Sequence, residues 1–164
     1  MVSRQGLGGI ATCIVTRCLL GQRRTKRRVE VTDWSWKGEY ETGNARIDFE
    51  HQVFLDLVRQ FAADSDAGIA PEHLSRTASE IFKYADFHFY SEESLMLRVG
   101  YPEYRQHHAL HALLLKELRG YLDSMALDAT RSEEMASFLY DWFVSHTLAE
   151  DTKLADYVKA APAN

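Results

Sequence analysis

The 164-residue sequence contains only two cysteines, three prolines and nine glycines. Cys13 and Cys18 cannot build a disulfide scaffold. They are expected to be reduced and idle, since a metal site would need partners that their segment lacks. So few prolines and glycines exclude a collagenous or low-complexity chain. No stretch approaches the ~20 continuous apolar residues that crossing a bilayer takes, so no membrane partner is expected. Acids are almost missing from the start: residues 1–30 hold seven Lys/Arg against Glu30 alone, a net of +6. The run Arg23, Arg24, Lys26, Arg27, Arg28 fits an address, a lipid or nucleic-acid contact, or a disordered leader. An upstream misread start would look the same. The apolar part, Leu7 to Gly21, is broken by Arg17 and lacks an A-x-A cleavage site, which makes a poor signal peptide, while the acid-free, Arg-rich character also fits a transit peptide. Residues 1–32 are expected to be a disordered basic leader.

The remainder has the balance of one globular domain, with 46% apolar and 26% charged residues in the whole chain. Residues 31–164 carry twelve Lys/Arg and twenty-three Asp/Glu, a net of −11 that should repel a nucleic-acid backbone. No nucleic-acid partner is expected for this part. From Asp33 to Asn44 the chain is rich in Trp, Tyr, Gly and Thr and has no helical period, so an extended arm over 33–46 is predicted. Four helical patterns follow. The first covers about 47–63 and stops in the Asp64–Gly68 turn. The second, 71–98, starts at Pro71 and ends at Gly100, with Pro102 beyond. The third covers about 103–124. The fourth, about 131–159, follows a predicted capping box of Thr130 and Glu133. Short connections between long helices predict an all-α, antiparallel up-down-up-down four-helix bundle with an extended N-terminal arm, over residues 33–160.

The buried seams, read in steps of three and four, hold an excess of polar groups. Helix one gives Ile47, His51, Phe54, Val58 and Phe61; helix two gives Leu74, Ala78, Ile81, Ala85, His88, Glu92 and Leu95. Helix three gives Tyr104, His107, His111, Leu114, Leu118 and Tyr121; helix four begins Met135, Leu139, Trp142, His146. Past His146 the seam breaks phase, because the apolar continuation, Leu154 and Val158, is in register with Asp151, five residues on. Five residues span about 140° of excess arc on an ideal helix, so a single-turn π-bulge is predicted across 144–152, with Asp151 inside.

Five imidazoles and two carboxylates thus converge inside a small bundle. Each uncompensated buried polar group costs about 2–7 kcal/mol, which a domain with about 5–15 kcal/mol of net stability cannot absorb. The groups must satisfy one another or bind a cation. Seven donors exceed one tetrahedral zinc and suit two metal ions, with the carboxylates bridging. His73 and His108 fall off the seams and are expected at the surface.

The pattern resembles the hemerythrin family, specifically its single-domain bacterial members (bacteriohemerythrins), over about residues 33–159. The likeness rests on I-D-x-x-H ending at His51, H-F-x-x-E-E from His88 to Glu93, G-Y-P at Gly100 to Pro102, H-x-x-x-H from His107 to His111, and W-x-x-x-H-x-x-x-x-D from Trp142 to Asp151, with Trp34, Trp36 and Gly43 in the arm. The resemblance implies reversible O2 binding at a non-haem di-iron centre, two iron ions joined by an oxo or hydroxo bridge. It implies that His107, His111 and His146 complete one iron, that His51 and His88 bind the other and leave it an open position, and that Glu92 and Asp151 bridge the two. Trp142 and Phe143 would wall the O2 pocket. The family commonly has a large aliphatic where Thr147 stands, and the smaller polar residue is expected to admit water and hasten autoxidation. Glu50 replaces a common glutamine, with only a surface effect expected. Glu93 is expected to face outward, and Tyr90, Tyr101 and Tyr104 to serve packing.

An oxygen carrier, store or delivery protein, not an enzyme, is the function this reading favours, cytoplasmic and monomeric, with O2 as ligand and an oxygen-consuming acceptor protein as partner. An O2 or redox sensor acting through the arm, and a di-iron enzyme handling peroxide or nitric oxide, are the alternatives. The lack of an attached signalling domain in this sequence weighs against the sensor.

Overall fold

In the computed structural model, residues 34–125 and 131–160 are described; the basic leader, Cys13, Cys18 and the Thr130 cap fall outside them. Helix α1, Ala45–Asp66, begins where the Asn44 Oδ1 accepts the backbone N–H groups of Arg46 and Ile47 at 3.2 and 3.4 Å. Helix α2, Pro71–Val99, has proline in its first turn and ends on Gly100, whose φ of +67° supplies the left-handed cap. The Tyr101 N–H then donates to the Met96 carbonyl at 2.9 Å and reverses the chain. Helix α3 covers Tyr104–Met125 and α4 covers Ser132–His146. A π turn, Thr147–Asp151, joins α4 to α5, Thr152–Ala160. The four-helix bundle predicted from the seams is therefore observed, its fourth helix running through α4, the π turn and α5.

The described part of the arm has one 3₁₀ turn, Gly38–Tyr40, with extended backbone at Lys37 before it and Glu41 after it. Tyr40 is buried, its ring edge-on to Phe143 at 5.5 Å and its hydroxyl 3.1 Å from that of Tyr140. Trp34 stacks on Tyr140 at 5.3 Å, so the arm lies along α4. At its end the Asp48 carboxylate accepts the backbone N–H and hydroxyl of Thr42 at 2.7 and 2.8 Å and the Gly43 N–H at 3.1 Å. Gly43 has a φ of +77°, and a Cβ there would stand 2.7 Å from the Lys159 Nζ, which itself donates to the Thr42 carbonyl at 2.7 Å. The arm is thus tied to both α1 and α5.

Two apolar clusters divide the interior. The larger joins Phe54, Val58, Phe61, Ile81, Ala85, Leu114, Leu118, Leu139 and Phe143 with their neighbours; the smaller joins Ile47, Met96, Tyr101 and Leu154. On every helix the candidate ligands fall between them. His51 lies between Ile47 and Phe54, His88 and Glu92 between Ala85 and Met96, and His146 and Asp151 between Phe143 and Leu154. The polar layer is closed off at both ends by hydrocarbon. Of the predicted seam residues, Leu95, Tyr104, Tyr121 and Trp142 are only partly buried; Met96 and Phe143 take the inner positions beside Leu95 and Trp142.

The π turn has a direct consequence for Asp151. The Thr152 N–H donates to the Thr147 carbonyl, five residues back, and the Thr152 hydroxyl caps the same carbonyl at 2.9 Å. That extra residue rotates Asp151 to the inside, where it is 1% exposed. A regular helix through this point would carry it away from His146.

Candidate metal centre

All seven predicted donors are brought together, none more than 5% exposed. The Nε2 atoms of His107 and His111 lie 2.9 and 3.1 Å from the Nε2 of His146. Ligands about 2.1 Å from one ion and at right angles to each other stand about 3.0 Å apart, so this spacing matches three nitrogens on one metal. Without a cation the arrangement is unfavourable, because a neutral imidazole has one N–H and His111 commits its own, on Nδ1, to Glu93 at 3.0 Å. His51 and His88 form the second group, their rings 4.9 Å apart.

The two carboxylates lie between these groups. Asp151 turns Oδ1 toward His107 and His146, at 3.2 and 3.1 Å, and Oδ2 toward His51 at 3.1 Å. Glu92 Oε2 is 3.8 Å from His88, 3.9 Å from His107 and 3.5 Å from His111. Neither Glu92 oxygen has a hydrogen-bond partner, and the Asp151 contacts lack hydrogen-bond geometry. An unsatisfied buried carboxylate is strongly disfavoured, so these four oxygens are the strongest sign of missing positive charge. Donor atoms within 4.8 Å of one another sort into two sets, Glu92, His107, His111, His146 and Asp151 in one, His51, His88 and Glu92 in the other.

The protonation behaviour follows from the same geometry. Burial, reinforced by the neighbouring Asp151 charge, pushes the Glu92 carboxyl well above its ordinary range. Burial acts on Asp151 in the same direction, but His146, His107 and His51 together outweigh it and hold that carboxyl well below. Burial lowers His88 despite its contact with Glu50, and it pushes His111, crowded by His107 and His146, down to about 2. Neutral imidazoles and a charged carboxylate are the forms that bind metal ions.

Three expectations need correction. Glu50 is not a surface residue. It is 6% exposed, and its Oε2 accepts the His88 Nδ1–H at 2.9 Å while Oε1 accepts from Ser91 and Arg46 at 3.0 and 2.9 Å. Burial tends to raise its carboxyl, yet His88 and Arg46 bring it below the ordinary value. Glu93 turns inward to His111, and Tyr90 is not a packing residue of the interior, being 72% exposed. A signal for both glutamates exists in the sequence. Glu50 stands three residues after Ile47 and four before Phe54, Glu93 four after Phe89 and three before Met96, all of them core residues. His73 and His108 are exposed as expected, Tyr101 is buried, and Tyr104 stacks on His108 at 5.7 Å.

The three residues assigned to an O2 pocket lie around this layer at different places. Phe143 is edge-on to His51 at 5.4 Å, whereas Trp142 stacks on His146 at 4.4 Å and meets Phe89 at 5.4 Å. Thr147 is 1% exposed, and its buried hydroxyl has no partner. On the outer side of Trp142 and His146, a groove of about 340 Å³ opens between α3 and α4, lined by Leu110, Leu113, Leu114 and Phe138 among others. No helix among the described residues is long and apolar enough to cross a membrane.

A family model described as the hemerythrin HHE cation binding domain matches residues 42–158. Among curated proteins, a bacteriohemerythrin of Stenotrophomonas maltophilia is 25% identical over 125 residues, 76% of this chain and 81% of the relative. One from Clostridium acetobutylicum is 25% identical over 131 residues, 74% of this chain and 98% of the relative. One from Pseudomonas aeruginosa is 25% identical over 126 residues, covering 76% and 80%. The matched stretch includes all seven donors.

Proposed function

The chain belongs to the hemerythrin family, and on that footing we propose that it binds O2 reversibly, as a carrier, storage or delivery protein without turnover. The family's cofactor is a non-haem di-iron centre, and the donor set fits it. His107, His111 and His146 would hold one ion, His51 and His88 the other, and Glu92 and Asp151 would span both. When bound, two ferrous ions supply reversible one-electron-each chemistry toward O2.

The protein's own part is to set charge, geometry and dryness. The opposed Asp151 oxygens, one toward His107 and His146 and one toward His51, carry the reading, because a single carboxylate reaches both groups. Two carboxylates against five imidazoles leave less anionic charge than the carboxylate-rich di-iron sites of ferritin-like bundles. Fewer anionic ligands stabilise highly oxidised iron less and favour release of O2 over its activation. Phe143, Phe54 and Phe89 surround the layer with hydrocarbon and exclude water.

Anaerobic reconstitution with ferrous iron, followed by visible spectra through cycles of air and argon, tests this. Charge-transfer bands that rise in air and vanish under argon over several cycles are expected. One-way oxidation on first exposure, or multiple turnovers of peroxide or nitric oxide, would overturn the carrier reading. The sensor alternative has one observation in its favour: rings lead from His51 through Phe143 to Tyr40 in the arm, at 5.4 and 5.5 Å. Hydrogen exchange in residues 34–44 that changes on O2 binding would favour it.

A further inference from the structure

The two groups of donors are braced from behind by different carboxylates, and the bracing is unequal. Glu50 gives one whole oxygen, Oε2, to the His88 Nδ1–H at 2.9 Å; its other oxygen takes the Ser91 hydroxyl and the Arg46 Nε–H. Its side chain is 8% exposed. Glu93 instead divides one oxygen, Oε1, between the His111 Nδ1 at 3.0 Å and the Nδ1 of His108 at 2.9 Å. The His108 side chain is 52% exposed, so this second contact is open to water. By contrast the buried Nδ1 atoms of His51 and His107 have no partner.

A carboxylate only accepts, so the imidazole facing it must carry its proton on Nδ1 and present a free Nε2 lone pair to the layer. That contact fixes ring orientation and raises the donor strength of Nε2. It is stronger when the acceptor is charged, shielded from water and not shared. We propose that Glu50 and Glu93 are positioning residues, each dedicated to one metal ion, with Glu50 the stronger brace. Glu50 serves the two-histidine group through His88, and Glu93 serves the three-histidine group through His111. The stronger brace thus stands behind the group with fewer protein donors. This assignment rests on the two-ion reading of the site but not on O2 binding.

The test uses the full chain, metal-free, titrated anaerobically with cobalt(II) as the probe and followed by calorimetry and visible absorption. Two binding steps are expected. Glu50→Gln, which keeps an acceptor oxygen but loses the charge, should weaken one step by about ten- to hundredfold and leave the other within about threefold. Glu93→Gln should weaken the opposite step, and by less. Glu50→Asp keeps the charge but withdraws it, and should fall between Glu50→Gln and the native protein. In the cobalt-loaded protein, proton NMR should show a shifted, exchangeable Nδ1–H signal from His88 that moves in Glu50→Gln and not in Glu93→Gln. Thermal melting of the metal-free forms separates these effects from damage to the bundle. If both steps fall together in either variant, or neither step moves in both, the assignment is overturned. A native protein that binds only one cobalt would instead overturn the two-ion reading, and the division between the two braces with it.

Discussion

Along each helix of this bundle the same inward seam passes through two kinds of interior. In one, Phe54, Phe61, Ile81, Leu114, Leu118 and Leu139 meet as hydrocarbon. In the other, one to two turns away, His51, His88, His107, His111 and His146 crowd around Glu92 and Asp151, whose four oxygens have no hydrogen-bond partner. Burial hardly differs between them, and apart from the π turn at Thr147–Asp151 neither does the backbone. What differs is whether contact alone is favourable: the apolar half is complete when the helices pack, while the polar half is complete only with a cation. The fold is carried by the first and holds the second in a form it would not choose by itself.

The largest way to probe this contrast is to damage the apolar half. Leu118 is fully buried, and Leu118→Ala should cost about 2–5 kcal/mol in urea unfolding, from lost burial and the cavity left behind. The loss should be equal, within about 0.5 kcal/mol, in metal-free and iron-loaded protein, since the residue lies outside the ligand layer. A loss that differs strongly between the two forms would show that the halves are not separable.

In the polar half a large-to-apolar change should act in the other direction. Glu92 is 1% exposed, both its oxygens lack partners, and burial raises its carboxyl. Glu92→Leu should therefore stabilise the metal-free protein, by about 1–3 kcal/mol, the usual cost of an unsatisfied buried group. The same variant should lose the second bound ion and most of the stabilisation that iron gives the native protein. Destabilisation of the metal-free form by Glu92→Leu would mean that the carboxyl is already satisfied and the contrast is wrong.

The apolar half was almost fully legible in the sequence, because spacing by threes and fours reports burial whatever the neighbouring helix carries. The π turn was legible too, through the five-residue step from His146 to Asp151, since a helix cannot keep both inside without an extra residue. Glu50 and Glu93 were misread for a physical reason. Each adjoins a ligand at the edge of the seam, where a long side chain turns inward only if another helix offers a donor. Those donors, His88 for Glu50 and His111 for Glu93, come from helices that the local pattern does not connect.

Acid gives a smaller effect, again confined to the polar half. In the folded metal-free protein His111 is held down to about 2, whereas in an unfolded chain it takes a proton near its ordinary value of about 6.5. Below that value the unfolded chain binds the extra proton, so this contribution to stability is complete above pH 6.5 and is lost as pH falls toward 2. Between pH 6.5 and 5 the loss from this one group is about 1–2 kcal/mol. His111→Leu should remove it, bringing the urea midpoints at pH 7 and pH 5 closer together than in the native protein. Midpoints that stay as far apart would assign the acid sensitivity to other groups.

The smallest expected effect lies at the boundary between the two interiors. Thr147 opens the π turn, and its hydroxyl is buried with no partner beside the ligand layer. A partnerless hydroxyl there is a foothold for water, and water close to the site favours one-way oxidation of the iron. Thr147→Ile replaces the hydroxyl with hydrocarbon and extends the apolar half by one residue toward the ions. Overpacking in so tight a place costs some stability, so the variant's melting temperature should drop by a few degrees. Its autoxidation, followed by the fading of the oxygenated spectrum in air, should nonetheless be severalfold slower than in the native protein. A rate equal to or faster than native would show that dryness at this position does not govern the loss of bound O2, and that the boundary between the two interiors lies nearer the ions than Thr147.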